Sequence, residues 1–179
     1  MSHSDIRDAI AKYASAYGTL QKLQDTMPWI PGGDQKTGSI GEYYAFLYLM
    51  SKYDEDQLKF GSHSEKGWDI EVTASPVRRI QVKTVSAFSK TRTISPIHRG
   101  WDELYIMFLN KSLVLEGFWI IQDNKIFGSK DKIENAKCQV PGKSQTGSAI
   151  IPFGENLVEA LRSAIHEATG MPHEIVQAG

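Results

Sequence analysis

Over residues 4–25 apolar side chains recur every three or four positions, at Ile6, Ile10, Tyr13, Tyr17, Leu20 and Leu23. Polar residues fill the gaps, and that spacing predicts an amphipathic helix. Pro28 to Gly38, with two prolines and three glycines, predicts a loop. Ser39-Ile40-Gly41-Glu42 opens a second helix, running to about Lys52. Its residues Ala45, Phe46, Leu47, Leu49 and Met50 are apolar on most sides, so it is expected to be largely buried.

Beyond it the period changes from helical to alternating. Gln57 to Gly61 is a weak strand signal, whereas Trp68 to Ala74 sets Trp68, Ile70 and Val72 on one face and Asp69, Glu71 and Thr73 on the other. Arg78 to Val85 continues the alternation with Ile80 and Val82 against Gln81 and Lys83. Ser75-Pro76 reads as the turn between them. A polar stretch over residues 86–100 is punctuated by Ser95-Pro96 and Gly100. Leu104 to Leu109 is a near-continuous apolar run, as expected of a strand covered on both faces. Leu113 to Ile121 and Lys125 to Phe127 are read as a hairpin around Asp123-Asn124, and Pro141 to Gly147 as a loop. Leu157, Val158, Leu161 and Ile165 mark a last amphipathic helix over residues 155–168, with a frayed tail from Gly170. This order predicts an α/β or α+β sheet flanked by helices.

Composition adds bounds. At 179 residues the chain suits one domain, residues 1–179, with enough length to bury a core unaided. Apolar residues at 41% and charged residues at 23% exclude a disordered or fibrous chain. Cys138 is the single cysteine, so no internal disulfide forms and an intracellular, cytoplasmic setting is expected. No apolar run follows a basic start, and the stretch Tyr43 to Met50 is far short of a membrane span, so neither a signal peptide nor a membrane partner is expected. The net charge is −1, from 20 Lys and Arg against 21 Asp and Glu. That total hides an asymmetry. Val72 to Trp101 holds no Asp or Glu, yet carries Arg78, Arg79, Lys83, Lys90, Arg92 and Arg99, a charge of +6. His98 and several Ser and Thr lie in the same segment. Such residues contact phosphates, so Arg78, Arg79, Lys90, Arg92, His98 and Arg99 are candidate DNA-binding residues.

The alternating pair of strands carries candidate chemistry. A three-residue loop of Ser75, Pro76 and Val77 would pair Ala74 with Arg78, set Ile70 against Val82 and Val72 against Ile80, and leave Asp69 facing Lys83 and Glu71 facing Gln81. Asp69 offers a carboxylate, Gln81 a side-chain carbonyl and Val82 a backbone carbonyl, all oxygen donors suited to Mg²⁺. Lys83 is a compact charge suited to a phosphoryl oxygen or an attacking water. Taken singly, such residues are ordinary: an Asp–Lys pair across strands is worth under about 1 kcal/mol. Ser39-x-x-Glu42 also matches a capping box, in which Glu42 would only satisfy backbone donors. Cys138 lacks a catalytic partner in sequence, the five histidines lack metal-ligand spacing, and no Gly-Lys-Ser/Thr ending marks a phosphate-binding loop. Tyr43, Tyr44, Tyr48, Trp101 and Trp119 read as core.

The order Gly41-Glu42 on a helix, Gly67-Trp68-Asp69 on a strand and Ile80-Gln81-Val82-Lys83 on the next strand resembles the PD-(D/E)xK nuclease superfamily, in the variant with Gln at the acidic position found in Mrr-type nucleases. The likeness spans roughly residues 38–122, with Leu104 to Leu109 matching the core strand that follows. It implies a restriction-endonuclease-like α/β fold, a mixed central sheet with helices on both faces and extra helices at the two ends, and Mg²⁺-dependent cleavage of DNA, with Mn²⁺ as a substitute. Asp69 and Gln81 would stand at the metal positions, Lys83 at the catalytic lysine and Glu42 at the helical glutamate. Gln81 removes one negative charge relative to the acidic pattern, and Glu71 is a candidate extra carboxylate outside that pattern. Two alternatives stay open: a catalytically silent DNA-binding or regulatory module on the same fold, and a small interaction protein such as an immunity or antidefence factor. A double-strand cut needs two active sites, and the first helix is a candidate homodimer surface.

Overall fold

A computed structural model describes residues 2–26, 36–62, 67–122, 124–144 and 151–170. Three helices are present among them: α1 (His3–Thr26), α2 (Lys36–Met50) and α3 (Val158–Thr169). The strands are β1 (Leu58–Phe60), β2 (Ile70–Val72), β3 (Arg78–Ser86), β4 (Ile97–His98), β5 (Glu103–Leu109), β6 (Leu115–Ile121) and β7 (Lys132–Ile133). Five form a mixed sheet in the order β1-β2-β3-β5-β6, while β4 and β7 form a separate antiparallel pair. β3 and β5 run parallel, with Ile80 opposite Glu103 and Ser86 opposite Leu109; the other neighbours in the large sheet are antiparallel.

The mixed sheet is the architecture that the resemblance implies, and its helical flank is what the order of elements predicts. All of β5 after Glu103 is buried, as its unbroken apolar run requires. The helices, however, lie on one face. Ile40, Ala45, Leu47 and Leu49 of α2 and Leu161, Ala164 and Ile165 of α3 share a core with Ile70, Val72, Ile80, Val82, Tyr105, Met107 and Phe118. Ala14 of α1 joins the same core. The opposite face, with Val85, Leu104, Ile106, Phe108, Trp119 and Ile121, packs on Ile94, Ile97, Trp101, Phe127, Ile133 and Cys138 from the connecting segments. Loops and the β4–β7 pair therefore do the covering that a second layer of helices was expected to do. Trp101, Trp119 and Tyr48 are core residues, and Tyr43 and Tyr44 pack against that core.

Several boundaries differ from expectation. α2 begins at Lys36, so Gly38 and Ser39 are helical and the Ser39-x-x-Glu42 capping box has no helix start to cap. β2 is three residues long, and its register with β3 sets Ile70 against Ile80, Glu71 against Arg79 and Val72 against Arg78. The offset from the expected pairing is two residues. The connection is longer than three residues: it runs from Thr73 to Val77 and contains a cis Ser75–Pro76 bond. A two-residue offset keeps every side chain on its expected face. β6 returns antiparallel from β5, and Asn124–Phe127 is a single 3₁₀ turn, so the second hairpin joins β5 to β6 and does not extend to Lys125–Phe127. Most of the expected loop from Pro28, the residues after Ser144 in the expected loop to Gly147, Asp123, His63 and the tail beyond Gly170 lie outside the described residues.

Candidate active site

Where α2 crosses β3 the backbones come very close. A Cβ on Gly41 would stand 1.8 Å from Thr84 Oγ1 and 2.8 Å from Thr84 Cβ. Only glycine fits there, and the contact carries the next residue, Glu42, to the edge of the sheet. Asp69, just before β2, is held against β3 at two points. Its N–H donates to the Ile80 carbonyl at 2.8 Å, and its Oδ2 accepts the Val82 N–H at 2.7 Å. These bonds flank Gln81 on either side. Lys83 follows on the same strand.

These side chains meet on one cavity of about 570 Å³. Glu42, Asp69 and Lys83 line it from α2, the start of β2 and β3. Val82, Thr84 and Ser86 continue the β3 wall, Ser89, Thr93 and Ser95 add hydroxyls from the following segment, and Thr37 and Gly38 come from the first turn of α2. Tyr17 of α1 and Phe88 close one side, their rings edge-to-face at 4.4 Å. Burial lowers the pKa of the Lys83 ammonium below the usual lysine range, while Asp69 and Glu42 pull it back up. The charge is therefore half-desolvated and faces two carboxylates at once.

The remaining candidates separate. Gln81 is buried, 1% exposed, and does not line the cavity. Glu71 does not line it either, because its Oε2 accepts from Arg79 Nε at 3.1 Å. Arg78 pairs with Glu103 at 3.3 Å. Lys90 is exposed and Arg92 half-buried on the segment after β3, where Arg92 takes a positive φ of 53°. Arg79, His98 and Arg99 gather elsewhere, around Trp68. Among the described residues no three of His, Cys, Asp and Glu stand together to hold a metal. Burial pushes the Cys138 thiol up to about 12, which keeps it protonated and unreactive.

Two contributors were not read from the sequence. Tyr17 registers only as an apolar position of the first helix, because nothing in local spacing brings it to Phe88. Thr37 falls in a stretch read as loop. The hydroxyls of Ser86, Ser89, Thr93 and Ser95, by contrast, are visible in the polar run after β3.

No family model and no curated protein matches the chain. Among solved structures, a bacterial homing endonuclease, I-Ssp6803I, superposes with a TM-score of 0.38 at 14% identity, over 64% of this chain and 83% of that one. So loose an overlap carries no functional argument.

Proposed function

We propose that this chain is a divalent-metal-dependent endonuclease that hydrolyses DNA phosphodiester bonds, of the restriction-enzyme type in the PD-(D/E)xK superfamily. One observation carries the reading: Glu42, Asp69 and Lys83, from three separate elements, converge on one open, hydroxyl-lined cavity. Asp69 and the Val82 carbonyl offer oxygen to a hard cation such as Mg²⁺ or Mn²⁺, beside the Lys83 ammonium and a Val82 N–H that already donates to Asp69 Oδ2. Asp69 and the backbone carbonyl of Val82 would hold the cation, which would supply charge neutralisation at the phosphate and a more acidic water; Gln81, the other ligand position of the resemblance, is buried outside the cavity lining. Lys83 then holds a phosphoryl oxygen or orients the attacking water. Its lowered pKa brings proton exchange nearer to neutral pH than an exposed lysine allows. Glu42, whose charge acts on Lys83, would order the outer wall of the site. The serine and threonine hydroxyls donate to the flanking phosphates.

A specific observation favours a second reading, a catalytically silent DNA-binding module. Gln81 is buried away from the cavity lining, so among the described residues the acidic position of the nuclease pattern contributes no side-chain oxygen to the cavity, which Glu42 and Asp69 face. Incubation of plasmid and linear DNA with Mg²⁺, Mn²⁺ or chelator separates the two. The first reading expects cutting with either metal and none with chelator, and a loss of about 100-fold or more in Asp69→Ala and in Lys83→Ala with the fold intact. Unchanged cutting in either variant rejects the site. Salt-sensitive DNA binding without cutting selects the silent module, and absence of any DNA binding selects the interaction protein.

A further inference from the structure

A second cleft, of about 400 Å³, lies beside the first and shares a chain segment with it. Gly67 and Trp68 line it, while Asp69 lines the first cavity. The two recesses adjoin where Asp69 follows Trp68, the second lying at the Arg79 end of β3 and the first along Val82 to Ser86.

The cleft is built from backbone upward. Gly67 and Gly100 face each other: a Cβ on Gly67 would stand 2.6 Å from the Arg99 carbonyl, and one on Gly100 would stand 3.3 Å from Gly67 Cα. Gly100 has a φ of 119°, which side chains rarely adopt. This contact ties the segment that carries Asp69 to the segment that carries Arg99.

The walls are cationic. Arg99 donates from Nε to the Lys130 carbonyl at 3.0 Å and from one terminal nitrogen to the Gly128 carbonyl at 2.9 Å. Its guanidinium lies 4.6 Å from the Phe127 ring centroid. These partners fix its position but are neutral, and among the described residues it pairs with no carboxylate. Arg79 lies 5.5 Å over the Trp68 ring and shares its charge with Glu71. His98 completes the wall. Asp131 is the one carboxylate of the lining; it is exposed and forms no ion pair with either arginine among the described residues. A planar guanidinium held in place, with its charge uncompensated, suits a phosphate.

We infer that the cleft of Gly67, Trp68, Arg79, His98, Arg99 and Gly100 is a phosphate subsite for the nucleic-acid strand next to the cleaved bond. The inference rests on the nuclease reading for the identity of that strand. It makes Trp68, which that reading does not use, a wall of the substrate path.

The test is binding of a labelled DNA duplex in chelator, followed by anisotropy over a range of salt, with cleavage and thermal melting measured alongside. In Arg99→Gln, binding weakens about tenfold, and the slope of log affinity against log salt falls by about 0.9. Arg99→Lys, which keeps the charge, restores the slope. Lys111→Gln, in the turn between β5 and β6 and lining neither recess, serves as the control and leaves both values unchanged. Wild-type slope and affinity in Arg99→Gln, with cleavage preserved in the wild type, overturn the subsite and leave the nuclease reading standing. Equal losses in Arg99→Gln and Arg99→Lys make the role structural and also overturn it. If Arg99→Gln melts out, the half-exposed Arg79→Gln carries the same expectation of a lower slope, and an unchanged slope there counts against the subsite. Wild-type protein that neither binds nor cuts DNA fails both readings together.

Discussion

Lys83 shows how one residue serves a site at the expense of the fold. A lysine whose folded pKa lies below its unfolded value holds fewer protons than the unfolded chain between those two values. Stability therefore rises with pH in that window, and the penalty of a half-buried ammonium is fully present below it. Lys83→Met removes that penalty. Its melting temperature at pH 7 should exceed the wild type's, and the gap should shrink as pH climbs towards the ordinary lysine value, while cleavage falls about 100-fold or more. Calorimetric melts across pH 6–10 check both halves; a variant less stable than wild type at neutral pH would falsify the claim that burial dominates over Asp69 and Glu42. At this scale the sequence is legible where alternation decides. Asp69 and Lys83 reach one cavity because residues two apart on a strand share a face, a property that survives an error in pairing. Glu71 and Gln81 obey the same alternation yet leave the cavity, one captured by Arg79 and the other enclosed by packing. Neither event is encoded in period.

At the scale of elements, the contact between α2 and β3 decides whether Glu42 can take part. A Cβ on Gly41 meets Thr84 Oγ1, Cβ and Cγ2 all within 3.0 Å, and none of these is the far end of a flexible chain. Gly41→Ala must push the helix off the strand, at a cost of about 1–3 kcal/mol in urea unfolding. It should also reduce cleavage, because Glu42 moves away from Lys83. Thr84→Ala removes two of the three clashing atoms, so the double variant should recover part of the loss, and a cycle of the four proteins should give a coupling of about 0.5 kcal/mol or more. Strictly additive losses would mean that the helix does not press on Thr84. The same scale explains what pattern reading misplaced. Ser75-Pro76 marks a turn correctly, but its length depends on how far the strands pair, so the register came out two residues off. The pair β4–β7 has only two residues in each strand, too few for alternation to register. Ile94 and Ile97 are core residues hidden in a stretch whose polar composition reads as loop.

The whole molecule is lopsided, and that shapes what it can do to a duplex. All three helices join one core, the connecting segments cover the other face, and of the basic run from Arg78 to Arg99 the residues Arg79, Lys83 and Arg99 line the two clefts while Arg78, Lys90 and Arg92 lie outside them. A net charge of −1 is compatible with this, because the acidic residues lie mostly elsewhere. Under the nuclease reading, the cavity lined by Glu42, Asp69 and Lys83 would engage one strand at a time in each chain. Cutting both strands requires two chains, and α1, whose only buried side chain among those described is Ala14, leaves a long face on which a second copy could dock. On supercoiled plasmid the nicked circle should therefore accumulate before the linear form, and the rate of linear product should rise faster than first order in protein concentration. Gel time courses over a hundredfold range of concentration measure this. Linear DNA that forms directly, in a constant ratio to nicked DNA at every concentration, would show instead that two cavities arrive already paired.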